Sequence, residues 1–227
     1  MTALRIAIIG PGKMGNAIAD LARVRGMEIV ATLGAGTPVS AESLNRADVA
    51  IEFTEPGAAV ANVRACVVAG CPVVVGTTGW YEELQQLARL VEVEGGALLW
   101  DANFSLGVHA VARLVEHAGA IFSRLPSFDP ALVETHHAAK RDAPSGTARM
   151  LQSRYAAASG RQIPITSIRV GSVPGTHQLV LDGAFEQIVI SHEARDRRVF
   201  AEGALLAAAW LVGRRGVFTL DDVLSSQ

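Results

Sequence analysis

Cysteine, net charge and long apolar runs are all scarce in this sequence, and each scarcity removes a class of protein. Only two cysteines occur, Cys66 and Cys71, both in apolar segments and without the spacing of a disulfide framework or a metal cluster. They read as buried free thiols in a reducing compartment. The formal net charge is −2, which gives no bulk drive toward nucleic acid or an anionic membrane surface. The longest late apolar run, Ala204 to Val212, is far below the ~20 residues a bilayer requires. The first run, Leu4 to Ile9, stops at Gly10 and is too short for a signal core. A soluble, cytoplasmic protein is expected, with no membrane or nucleic-acid partner. Internal repeats and low-complexity segments are missing as well.

What is present is a 227-residue chain, half hydrophobic and 19% charged. That composition is globular rather than disordered and suffices for one large domain or two modest ones. Residues 4–9 read as a strand buried on both faces. They run into Gly10-Pro11-Gly12-Lys13-Met14-Gly15 and a helix with Met14, Ile18, Leu21 and Ala22 on one face. Further strands are expected at 28–33, 48–53, 72–75 and 97–100, with helices opening at Thr54-Glu55-Pro56 and near Trp80. Strands alternating with helices imply a parallel sheet. Polar-glycine clusters at 10–15, 53–56, 76–79 and 101–104 all fall at carboxyl ends of strands, where ligands bind such sheets.

After Phe104 the rhythm changes. A helix is expected over 106–122, a strand over 131–136 and a helix over 146–158. Strand-like runs follow at 165–170, 177–181 and 185–191, with Asp182-Gly183 as a hairpin signal. A helix over 199–213 and a terminal turn over 221–226 close the chain. The expected class is α/β: a Rossmann-type doubly wound parallel sheet with a second α+β domain carrying a mixed or antiparallel sheet. Residues 1–104 and 205–227 form the dinucleotide-binding domain and 105–204 the substrate domain.

The G-x-G-x-x-G of Gly10 to Gly15, between strand and helix, suits a pyrophosphate at a helix N-terminus. The carboxylate that usually bonds the adenosine ribose about 20 residues on is absent, Gly34 standing near that position. A 2′-phosphate is therefore not repelled, and NADPH is expected to serve at least as well as NADH. Lys13 either pairs with that phosphate or is a solvated helix-start lysine. Gly76, Thr77 and Thr78, and Asp101, Ala102, Asn103 and Phe104, can orient a nicotinamide, with Phe104 packing on its ring; ordinary turn chemistry is the alternative.

One stretch concentrates the remaining chemistry, Val133 to Ala148. Ser145 reads as a helix cap, and the N–H groups of Ser145, Gly146 and Thr147 as an anion site. His136, His137 and Lys140 lie just before it, able to give a bound anion a proton. A structural histidine pair is the alternative; zinc is disfavoured, because adjacent histidines diverge. No metal is expected.

Glu134 to Ala148 closely resembles the E-x-H-H-x-x-K-x-D-A-P-S-G-T-A signature of the 4-hydroxy-tetrahydrodipicolinate reductase (dihydrodipicolinate reductase) family. The resemblance extends to Gly10–Gly15, Glu52-Phe53-Thr54, Gly76–Gly79, Ala102–Ser105 and the segment from His192 to Ala201, so it covers essentially the whole chain. It implies NADPH- or NADH-dependent reduction of a cyclic imine dicarboxylate. His136 matches the proton donor and Lys140 the second catalytic residue. His137, Gly146 and Thr147 match carboxylate contacts; Ser145, from the anion site read above, and Arg197 are added as further substrate residues. Gly10 to Gly15, Phe53, Thr54, Gly76 to Thr78 and Asp101 to Phe104 match cofactor contacts. The resemblance also implies a homotetramer joined through the second-domain sheet and a hinge between domains. Gly34 and Asp101 depart from the family's pattern. An amino-acid dehydrogenase of this layout and a non-catalytic NAD(P)-sensing module are the other readings; the His136/His137/Lys140 set argues against the sensor.

Overall fold

The computed structural model describes residues 3–225. Contacts divide the chain into two compact units, Met1–Phe104 with Arg198–Gln227, and Ser105–Arg197.

The first unit is built on a six-stranded parallel sheet. Its strands are β1 (Arg5–Ile9), β2 (Glu28–Leu33), β3 (Val49–Glu52), β4 (Val73–Val75), β5 (Ala97–Trp100) and β10 (Gly216–Phe218), ordered β10-β5-β4-β3-β1-β2. Every residue of β3 and β4 is buried, as continuous apolar runs require when both faces of a sheet are covered. Helices α1 (Lys13–Val24) and α6 (Arg198–Leu211) pack together, α1 against β1 and β2 and α6 against β3 to β5. Helices α2 (Pro56–Val68) and α3 (Leu84–Glu94) pack together, α2 against β3 to β5 and α3 against β5 and β10. The short α7 (Leu220–Ser225) ends the description, so Ser226 of the expected turn lies outside the described residues. The expected division at 205 would cut through α6, which packs against β3 to β5; the return falls at its first residue, Arg198.

The second unit holds α4 (Leu106–Phe122), β6 (Asp129–His136), α5 (Gly146–Ser159), β7 (Ile165–Arg169), β8 (Thr176–Asp182) and β9 (Gln187–Glu193). Its sheet is mixed, in order β7-β6-β8-β9. β6 and β7 are parallel, joined through α5, while β8 pairs antiparallel with both β6 and β9. The hairpin loop runs over 183–186, so Phe185, expected in a strand, sits fully exposed at its tip. Along β6 the side chains alternate, with Leu132, Glu134 and His136 buried. Opposite them on β8 the buried set is His177, Leu179 and Leu181. Leu132, Leu179 and Leu181 join Val115 of α4 and Leu151 and Tyr155 of α5 in one core. The helix pair crosses closely at Gly119, where a Cβ would lie 2.9 Å from the Tyr155 carbonyl oxygen. On the opposite face of the sheet, Ile168 and Val189 keep 42% and 45% of their surface exposed, beside polar neighbours such as Gln178 and Ser191.

Candidate active site

In the first unit the rim loops are locked to each other by close backbone approach. Gly10 has φ +97, and a Cβ there would meet the Phe53 carbonyl oxygen at 2.1 Å. A Cβ on Gly15 would meet the Gly10 carbonyl oxygen at the same distance, 2.1 Å. Gly12 differs: a Cβ there meets nothing within 4 Å, and as N-cap of α1 it brings no side chain to the helix N–H groups. Two glycines are thus needed for packing and the third leaves an open, uncapped helix start, which fits a dinucleotide phosphate. Pro11 and Lys13 are exposed beside it and Met14 is half-buried. Pro11 is also the nearest neighbour of the Gly34 Cβ position, at 3.6 Å.

Glu52 organises the next two loops. It is wholly buried at the end of β3. It accepts hydrogen bonds from the Thr54 hydroxyl and, at 3.3 Å, from Asn62 of α2. Burial pushes its pKa up, against the hydrogen bonds of Thr54, Thr77 and Asn62. The Thr54 N–H in turn donates to Thr77 Oγ1 at 2.7 Å, so the Thr77 side chain is turned inward while Thr78 is exposed. The Phe53 ring lies where a Cβ on Gly76 would sit, 2.0 Å from it, and tilts against Phe104 at 5.8 Å. Phe104 is 2% exposed and therefore supports the rim from below. Asp101 receives the Asn103 N–H at 3.0 Å and the Leu220 N–H at 3.2 Å. Its carboxylate thus pins the loop of β5 to the start of α7, which gives a structural reason for its presence; Ala102 beside it is exposed.

In the second unit a buried carboxylate is again the centre. Glu134, 1% exposed, accepts from Arg169 Nη2 at 2.7 Å through Oε1 and is paired through Oε2 with His136 Nδ1. Its Oε1 also accepts the Ser145 N–H at 3.4 Å. Burial alone would raise its pKa, but the bonds from Arg169, Ser167 and His136 outweigh burial and hold it at about 2. His136 is pushed down by burial, then lifted partway by the Glu134 carboxylate. With Nδ1 on Glu134, its Nε2 is the atom left for proton transfer. A Cβ on Gly175 would come within 3.0 Å of that Nε2, so the absence of a side chain there leaves the nitrogen its room.

The loop after β6 carries the rest of the set. Lys140 Nζ donates to Asp142 Oδ1 at 2.6 Å, which lowers the Asp142 pKa. His137 and the exposed Arg197 line one cavity of about 710 Å³, with Ala138, Gly171 and Pro174. Ser145 caps α5 by accepting the Ala148 N–H at 3.1 Å. Its own N–H is directed to Glu134, which takes one of the three expected anion-binding amides. A Cβ on Gly146 would meet nothing within 4 Å, leaving its backbone approachable. Glu134, His136 and His177 offer donor atoms within 4.8 Å of one another. The Glu134 oxygens are engaged with Arg169 and His136, and His177 Nε2 with Ser145 Oγ at 3.1 Å, so hydrogen bonds already account for the cluster.

Sequence reasoning gave no role to Glu134, Arg169, His177 or Glu52. The i, i+2 spacing of Glu134 and His136 on a strand was a usable signal, since it puts both on one face.

An uncapped glycine turn on a parallel sheet and a buried carboxylate–imidazole pair at the start of α5 fit a dinucleotide-linked oxidoreductase. Family models described as dihydrodipicolinate reductase, N-terminus and C-terminus, match residues 4–104 and 107–224. The chain belongs to the dihydrodipicolinate reductase family. The 4-hydroxy-tetrahydrodipicolinate reductase of Christiangramia forsetii is 34% identical over 98% of each chain. That of Haloarcula marismortui is 41% identical, covering 79% of this chain and 77% of its own. Among solved structures, dipicolinate-bound dihydrodipicolinate reductase from Paenisporosarcina sp. TG-14 superposes with a TM-score of 0.83 at 23% identity, covering 96% of this chain and 98% of that one; at that identity it bears on the fold.

The spacing at Gly175 gives a direct test. Gly175→Ala, which crowds His136 Nε2 and strains a backbone at φ +152, should lower kcat on the order of tenfold to a hundredfold, as small misplacements near reacting atoms do, with cofactor KM unchanged. Unchanged kcat in steady-state assays would show that His136 Nε2 needs no such room.

Proposed function

We propose that the chain catalyses the NAD(P)H-dependent reduction of 4-hydroxy-tetrahydrodipicolinate to tetrahydrodipicolinate, in diaminopimelate and lysine biosynthesis. The Glu134–His136 pair beside the start of α5 is the observation that carries the reading. Loss of the substrate's 4-hydroxyl as water leaves a conjugated dihydrodipicolinate ring, and a bound nicotinamide would supply hydride to a conjugated carbon of that ring. The electron pair displaced within the substrate needs a proton, and His136 gives it from Nε2, with Lys140 as the second cation at the site. Gly146, Thr147, Ser145, His137 and Arg197 hold the two carboxylates. The uncapped turn from Gly10 to Gly15 holds the cofactor phosphates, and the loops at Phe53-Thr54, Gly76–Thr78 and Asp101–Phe104 shape the rest of that site.

Free His136 is held below its ordinary pKa by burial. A bound dianion next to it favours the imidazolium, so the substrate itself raises the donor's occupancy. Glu134 works in the same direction. Glu134→Gln removes the carboxylate that lifts His136, so the alkaline limb of kcat/KM should move to lower pH. An unmoved limb would detach Glu134 from the proton donor.

The absence of a carboxylate near Gly34 supports use of NADPH at least as well as NADH. Two free, buried cysteines, Cys66 and Cys71, support work in the reducing cytoplasm; no helix among the described residues is long and apolar enough to cross a membrane. The exposed Ile168 and Val189 on the sheet face opposite the helices support a homotetramer joined through the second unit's sheet. Light scattering should give four times the chain's 23.8 kDa; a monomer would contradict it.

The function is tested by a coupled assay. Pyruvate and aspartate semialdehyde are supplied with the upstream synthase, and oxidation of NADPH and NADH is followed in parallel. Turnover is expected with a KM for NADPH no higher than for NADH; a clearly lower KM for NADH contradicts the cofactor reading. His136→Gln and Lys140→Ala should each lower kcat by roughly a hundredfold or more, the range general-acid groups supply, with little change in cofactor affinity. Near-wild-type turnover in either would remove that residue from the chemistry.

A further inference from the structure

His177 is buried and carries polar chemistry that the reaction above does not use. It faces Glu134 across the β6–β8 pairing, on the helix-covered side of the sheet, where Leu179 and Leu181 follow it. Its ring stands edge-on to that of His136, 5.1 Å between centroids. Its Nε2 lies 3.1 Å from Ser145 Oγ, and its Nδ1 is buried without a hydrogen-bond partner.

Counting hydrogens selects its tautomer. Were Nδ1 the protonated atom, a buried N–H donor would have no acceptor, the rarer and costlier kind of orphan. With the proton on Nε2, the imidazole donates to Ser145 Oγ. That oxygen also accepts the Ala148 N–H at 3.1 Å. Both of its lone pairs are then engaged, and its own hydrogen is left to donate. The hydroxyl stands at the cap of α5, next to Gly146, around whose Cβ position nothing lies within 4 Å.

We propose that His177 is a positioning residue for the dicarboxylate substrate: its Nε2–H, donated to Ser145 Oγ, turns the Ser145 hydroxyl hydrogen toward a carboxylate oxygen bound at the N-terminus of α5. This rests on the function proposed above. The arrangement requires a neutral imidazole. Burial, and then the charge His136 can carry, push the His177 pKa down to about 4, so it stays neutral at physiological pH.

The test uses the full chain and pyridine-2,6-dicarboxylate as the probe, with binding measured by calorimetry beside substrate KM and kcat. His177→Leu and Ser145→Ala should each weaken binding about tenfold, the loss of roughly one hydrogen bond to a charged group. The double variant should lose no more than either single, because one acts through the other. KM should rise with kcat within a few-fold and cofactor affinity unchanged. His177→Gln, which keeps a donor at the ε position, should restore most of the binding. Losses that multiply in the double variant, or wild-type binding in His177→Leu, would overturn the proposal. Should His177→Leu not fold, nitrogen NMR of the wild-type imidazole decides: a proton on Nε2 supports the assignment and a proton on Nδ1 overturns it. Wild-type protein that binds no dicarboxylate would overturn the proposed function, and this inference with it.

Discussion

A carboxylate with almost no exposed surface stays ionised only where donors and cations surround it, and Glu134 is that constraint in this protein. Its partners come from three places: Arg169 at the end of β7, His136 two residues on along β6, and the Ser145 amide at the start of α5. The βαβ path from β6 through α5 to β7 is what brings them together, because parallel pairing sets Glu134 opposite Ser167 and His136 opposite Arg169. The same contacts fix a tautomer on His136 and seat the start of α5. They also bear on stability. With Glu134 held at about 2 against an ordinary 4.5, its stabilising contribution is complete above the higher value and is lost as pH falls toward the lower one.

The first unit solves a parallel problem with neutral groups. Glu52 is buried among two threonines and an asparagine, neutral groups all, and its pKa moves up rather than down. One buried acid therefore ties rim loops together while the other sustains a charge beside the imidazole it orients. The glycines divide labour in the same way. Gly10, Gly15 and Gly76 are needed because backbone or ring atoms already occupy the Cβ position, whereas Gly12 and Gly146 leave space that nothing in their own unit fills.

Much of this was legible in the sequence, and the reasons are physical. The parallel sheet announced itself through continuous apolar strands closed by glycine turns, and the rim loops fell at strand ends because a doubly wound topology puts them there. His136, Lys140 and Ser145 sit within one short stretch, so local pattern was enough to single them out. Arg169 and His177 were not legible, because their roles depend on strand register across more than thirty residues, which no local periodicity encodes. The strand β10 has three residues and pairs with β5, too short to show a period. Asp101 was visible as an anomaly near a cofactor rim, but its purpose depends on Leu220, far along the chain.

The central claim is that Glu134 acts on the reaction through His136. The most direct measurement is a double-mutant cycle on kcat with Glu134→Gln and His136→Gln, in protein verified as folded. If Glu134 serves only to orient and charge the imidazole, its removal costs nothing further once His136 is gone, and the double variant matches His136→Gln alone. Effects that multiply would show Glu134 working by a separate route and would contradict the account.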